Sequence, residues 1–340
     1  MKSFQYAGAV ALLLVAAAGA RSQGWTGKTL IVTASNTPSN SLLVYDTSDR
    51  LLQTVSTGGA GGASGNSGGI AASWGWTAAV NFGSQSVSIF KRSDSGLELK
   101  QIIAINSSPV SVAFGHGHLY VLGTTTVESH PIFEFGVSPS ADGVAALVLG
   151  DGSAAQVGVL ENQLILTEKS NAIETVDLKW DGAVTGLTSL VQNIPANVNA
   201  PFGLVTRDND AYVTIAHANE ISLVRNDDVL TITGSGTQNA PCWLALDGPF
   251  LFSSNSPSMT VSRYLVYGQT ITQQVAVSAS FNGDPTDISY NDGLLAVVDG
   301  SGAISHLSVF HVDGNGNLNL KAVTTIQSAI NGVVILDDGE

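Results

Sequence analysis

The feature that most constrains this chain is an internal repeat of about 45 residues. Similar strand openings recur at Ile70-Ala71-Ala72, Pro109-Val110-Ser111, Ala154-Ala155-Gln156, Pro201-Phe202-Gly203, Pro241-Cys242-Trp243, Pro285-Thr286-Asp287 and Ile330-Asn331-Gly332. Their spacings are 39, 45, 47, 40, 44 and 45 residues. Four strands of about five residues plus their turns fill such a period, which is the length of a propeller blade. Within each repeat, Val and Ile alternate with Ser and Thr, as in Ser86-Val87-Ser88-Ile89-Phe90 and Ala172-Ile173-Glu174-Thr175-Val176. That alternation has the strand period, and β-branching suits a pleated surface. Turns such as Asp181-Gly182 and Asp313-Gly314 introduce the outer strands.

The two ends complete each other. The segment Gly332-Val333-Val334-Ile335-Leu336 reads as a first strand with nothing after it. Thr29 to Thr33, Ser41 to Tyr45 and Leu51 to Val55 read as second, third and fourth strands with nothing before them. Joined, they make a seventh blade and remove a free sheet edge. The expectation is an all-β, seven-bladed β-propeller closed by pairing of the C-terminal strand with the N-terminal blade. It occupies residues 25–340 as a single domain. Glycine, at 37 of 340 residues, exceeds the usual ~7% and has no collagen period, so it reads as turns.

Residues 1–20 stand apart. Lys2, an apolar run over residues 9–18 and Ala18-Gly19-Ala20 together read as a signal peptide, and imply a secreted, extracellular protein. The run is shorter than the ~20 residues of a membrane span. Cys242 is the sole cysteine, so no internal disulfide forms, and its place beside Trp243 in an apolar strand suits an inert thiol. A net charge of −14 argues against nucleic-acid and anionic-membrane partners. It leaves a small molecule or a glycan as the partner class, with the oligomeric state open.

The chain resembles the secreted lactonase-like, YVTN-repeat propellers, related to 6-phosphogluconolactonases of the propeller type and to fungal carboxy-muconate cyclases. The residues that carry the resemblance are Pro241-Cys242-Trp243, Leu166-Thr167-Glu168-Lys169-Ser170-Asn171, Pro201-Phe202-Gly203, Val87-Ser88-Ile89-Phe90 and the Ser108-Pro109 opening before Leu119-Tyr120-Val121-Leu122. It covers essentially the whole chain from Thr29 onward. The resemblance implies histidine, arginine and glutamate around one mouth of the central channel. The Pro-Arg-His opening of catalytic members falls on Ala154-Ala155-Gln156, and the His-Pro-His opening near Ser108-Pro109-Val110. Glu168 alone stands where a family glutamate is expected.

Candidate chemistry follows from position in the repeat. Asn36, Asn81, Glu168, Asn255 and Asp299 end second strands, with His217 close to the matching place. Such a ring can bind a polar ligand or cation through oxygens, or its members can form side-chain turns that cap hairpins. Glu168 and His217 are the candidate catalytic residues, as base or as rim residues. Trp74 and Trp76, at strand spacing, are expected to share a face and to stack on a sugar or pack between blades. Glu128, His130 and Glu134 are expected in a longer loop able to carry specificity. Asn81, His130, Asn255 and Asp299 join the two tryptophans as candidate ligand contacts. The Gly58 to Gly69 run lacks the Lys-Ser/Thr of a phosphate loop and reads as a flexible loop over one face. His116-Gly117-His118 falls in a hairpin turn with no third ligand, so no metal site is expected, and no cofactor fingerprint is found. Asn106-Ser107-Ser108 is the glycosylation sequon.

Two functional classes stay open. One is a binding or extracellular scaffold propeller for a small polar ligand or glycan. The other is a cofactor-free lactone hydrolase or muconate-cyclase-like enzyme using Glu168, helped by His217, Arg207 or Arg263.

Overall fold

The computed structural model describes residues 27–192 and 200–337; the expected signal peptide lies outside the described residues. Seven antiparallel sheets form in chain order, and each is a meander running from the channel outward. The innermost strands of blades 1 to 6 are Ile70–Ser73, Pro109–Gly115, Ala154–Val159, Pro201–Arg207, Pro241–Asp247 and Asp284–Asn291. Ile330–Leu336 supplies the innermost strand of blade 7, whose other strands are Leu30–Ser35, Ser41–Asp46 and Leu51–Ser56. The closing register pairs Leu30 with Leu336, Ile31 with Ile335 and Val32 with Val334. Ring closure therefore follows the expected pattern.

Proline is the first residue of three inner strands and the second of Asp284–Asn291, because these are edge strands at the channel, where one missing N–H costs no ladder bond. The register then slips just after the opening residue, between Pro109 and Ser111, Ala154 and Gln156, Pro201 and Leu204, Pro241 and Trp243, and Pro285 and Asp287. A bulge there re-aims the residue two places after the opening. In three blades that residue reaches the next blade. Ser111 Oγ accepts from Val157 N at 3.2 Å, Gln156 Oε1 from Leu204 N at 2.7 Å, and Asp287 Oδ2 from Val333 N at 3.0 Å.

In blade 4 the same position is Gly203, and the reason is steric. A Cβ built there lies 2.0 Å from the Cys242 carbonyl oxygen of blade 5. Gly203→Ala is expected to force the two inner strands apart and to destabilise the protein by about 1–3 kcal/mol. A urea titration checks this, the midpoint falling with an unchanged slope. Apolar packing fills the space between blades, as where Phe202 meets Trp243 edge to face, with centroids 5.1 Å apart.

Candidate functional site: the central channel and the strand-end carboxylates

The seven inner strands enclose a channel of about 440 Å³. Val112, Val159, Val205 and Val334 give it apolar walls, with Gln156, Thr206, Asp287 and Ser289 as polar interruptions. Asp287 is the one titratable lining residue among the described residues. Burial pushes its carboxyl up to about 7, against the opposing effect of the Val333 and Ile288 amides that it accepts. The position where the resemblance implies a catalytic histidine holds Gln156, and its side-chain oxygen is committed to Leu204 N. Gln156 and Asp287 thus spend their side chains on joining blades.

The glycine-rich loop crosses the channel mouth, and the expectation of a flexible loop is corrected. Asn36 clamps its start, donating to Ala63 O at 2.7 Å and accepting from Gly62 N at 2.6 Å. Asn66 Nδ2 donates to Val110 O in blade 2, and Trp243 Nε1 of blade 5 donates to Asn66 O at 3.1 Å. Ser67 N reaches Ala155 O of blade 3, and Val112 N donates to Gly68 O. Lys169, whose ammonium is held below its usual pKa by burial, donates to Gly65 O. Ser67 and Gly68 therefore line the channel as a plug fixed to three blades. Glycine is needed at Gly68, which has φ +64° and lies where a Cβ would meet Ser111 Oγ at 2.9 Å.

The strand-end residues sit at one face but do not make an open ring. Asn81, Glu168, Asn255 and Asp299 are all buried. Asn81 Nδ2 donates to Ser88 Oγ at 2.7 Å, and Asn255 Nδ2 donates to Ser262 Oγ at 2.8 Å, the same tie in two blades. Glu168 accepts from Leu149 N and Gly150 N, both at 3.0 Å. Glu174, on the next strand, accepts from Val148 N at 2.9 Å and is hydrogen-bonded to the Glu168 carboxyl. Burial, then the neighbouring Glu168, pushes the Glu174 carboxyl up to about 8. His217 lies in the Ala216–Ala218 turn of blade 4, exposed, two residues beyond the ring position taken by Ile215. The structure does not bring Glu168 and His217 together as an acid/base pair: one is sealed under residues 148–150 and the other faces solvent.

Other sequence expectations are relocated. Trp74 occupies a two-residue turn with φ +52° and is exposed, whereas Trp76 starts the next strand and is buried under Lys91, 4.2 Å from its ring centroid. A turn between them breaks the strand alternation, so they share no face. His130 and Glu128 lie not in a loop but in the strand Thr126–Phe133, both buried, with His130 Nε2 3.5 Å from Glu128 Oε2. Glu134 stands just beyond that strand's end. Asn106 is exposed in the linker between blades 1 and 2. Cys242 donates to Ala240 O, and burial pushes its thiol up to about 12, which suits the inert reading.

Sequence reasoning missed Glu174 and His306. His306 Nδ1 lies 2.9 Å from Asp299 Oδ1, and the two are cross-strand partners. The available signal was an aspartate and a histidine seven residues apart across a short Gly-rich hairpin.

Fold and channel together define a seven-bladed β-propeller. No family model matches the sequence, and no curated protein matches it. Among solved structures, the chain is similar to a putative 6-phosphogluconolactonase from Bacteroides fragilis NCTC 9343, at 14% identity and TM-score 0.65, with 92% of this chain and 98% of that chain covered. A functionally unknown protein from Desulfotomaculum acetoxidans DSM 771 superposes with TM-score 0.69 at 14% identity, covering 91% and 99%. A streptogramin B lyase does so with TM-score 0.60 at 14% identity, covering 80% and 87%. At these identities the likeness is one of fold, and one fold hosts many chemistries.

Proposed function

We propose that this protein is a secreted binding or extracellular scaffold propeller, recognising a small polar ligand or a glycan, that has kept the lactonase-like framework without lactonase chemistry. The observation that carries this reading is the plug: residues 66–68 cross the mouth where the resemblance expects catalysis, bonded to blades 2, 3 and 5. Chemistry of the lactonase type needs a base and cationic or N–H donors aimed at a developing oxyanion. The channel lining offers neither histidine nor arginine among the described residues. Glu168, the one matching carboxylate, is committed to two backbone amides.

The test is acid release by the purified protein across neutral and carboxylated lactones, beside Glu168→Gln. No turnover above the buffer rate is expected from either protein. Turnover by the natural chain that disappears in Glu168→Gln overturns the scaffold reading and establishes the hydrolase.

A further inference from the structure

Between the last strand of blade 5 and the outer half of blade 6 lies a cleft of about 210 Å³, separate from the channel. Its floor is apolar: Phe281 and Phe310 meet edge to face with centroids 6.2 Å apart. Its walls are mixed: hydroxyls come from both blades, Ser278 and Ser280 on one side and Ser308 on the other, among the apolar Ala279, Leu320 and Val323. His306 and Ser308 are two apart on the strand Ile304–Val312, so they face the same way.

The histidine is oriented for a ligand. Asp299, buried, accepts from Gly283 N at 3.1 Å through Oδ2 and takes His306 Nδ1 on Oδ1. This arrangement fixes the ring through Nδ1 and turns Nε2 away from Asp299. Nε2 has no protein partner among the described residues, while the His306 side chain stays 24% exposed at the cleft. An oriented ring nitrogen, several hydroxyls that both donate and accept, and an aromatic floor make a mixed surface. That mixture matches a molecule with apolar C–H faces and hydroxyl edges. The cleft lining contains no lysine or arginine and already holds one carboxylate, so an anionic ligand is disfavoured.

We propose that this cleft is a binding site for a neutral polyhydroxylated ligand of monosaccharide size, with His306 Nε2 hydrogen-bonding a ligand hydroxyl and Asp299 acting as its positioning residue. The inference rests on the binding reading above and names the ligand class.

The experiment is saturation-transfer NMR on the full chain with methyl glycosides of glucose, galactose, mannose and N-acetylglucosamine, with glucuronate and inorganic phosphate as charged probes. His306→Gln, Ser308→Ala and the distant Trp180→Ala are run in parallel, each checked for an unchanged melting profile. The expected result is transfer to at least one neutral glycoside, tenfold or more weaker in His306→Gln, weakened in Ser308→Ala and unchanged in Trp180→Ala. A shift of the His306 Nε2 nitrogen resonance on addition of that glycoside is the signature of a direct contact. Equal binding by His306→Gln and the natural chain overturns the site while leaving the scaffold reading intact. Absence of transfer to every neutral probe, or stronger transfer to glucuronate or phosphate, also overturns it. Lactone turnover in the separate assay is what would sink the scaffold reading itself.

Discussion

Raising the pH from 5 to 8 is expected to lower the stability of this protein steadily, and Glu174→Gln is expected to remove a large part of that loss. The cause is two carboxyls that the fold holds protonated. Glu174 is pushed up to about 8 from 4.5, and Asp287 to about 7 from 3.8. Below about pH 4 both groups are protonated whether the chain is folded or not, so no penalty arises. Between the unfolded and folded values the unfolded chain has released protons that the native state retains. Stability therefore falls as pH rises, by about 1.4 kcal/mol per pH unit for each group fully in that window. The loss levels off above about pH 8. Glutamine at 174 keeps an oxygen to accept from Val148 N and an N–H₂ to donate to Glu168, with no proton to lose. Its melting temperature is expected to exceed that of the natural chain at pH 8 and to match it near pH 4. A natural chain whose melting temperature rises between pH 5 and 8 would contradict the assignment of both protons.

Deleting residues 330–340 is expected to abolish the cooperative fold. The deletion removes the inner strand of blade 7 and with it four buried side chains, Ile330, Val333, Ile335 and Leu336. Each is worth roughly 1.5–3 kcal/mol when fully buried, against a total stability of about 5–15 kcal/mol for a typical domain. It also exposes the whole Leu30–Ser35 edge and strips Asp287 of the Val333 amide. Circular dichroism on heating should show no single transition, and size exclusion should show aggregates. A synthetic peptide of residues 328–337 added during refolding should restore the transition by adding the missing strand in trans. Recovery of a full, reversible melt by the truncated chain alone would refute the closure as the main determinant.

The architecture was legible in the sequence because it rests on repeated local signals. Val/Ile alternation recurs in the blades, proline openings in four of the seven and Asp-Gly turns in several, and matching half-blades at the two ends require only that the ring close. The site was less legible because the roles of its residues depend on neighbours far apart in sequence. Glu168 reads as a strand-end carboxylate, but its confinement comes from residues 149 and 150 and from Glu174 on the next strand. The Gly58–Gly69 run has the composition of a mobile loop, yet Trp243, 177 residues away from Asn66, anchors it. Trp74 and Trp76 have strand spacing, but the positive φ at Trp74 and Gly75 turns the chain between them. His130 sits in a run without counterparts in other blades, and only the pairing of Ser129 with Tyr120 shows that the run is a strand.

The composite seventh blade also sets an order of assembly. Blades 1 to 6 are local meanders, each made by strands that follow one another within about 45 residues, so each can form as soon as its own segment is available. Blade 7 instead requires Leu30 to find Leu336 across almost the whole chain, a contact with a high loop-closure cost. During synthesis the Leu30–Ser35 edge is made first and waits longest for its partner. An unpaired, apolar strand edge held open for that interval is a template for pairing with a neighbouring chain. The vulnerable moment in the life of this protein is thus the period before its last strand arrives, and whatever shields Leu30–Ser35 then governs its yield.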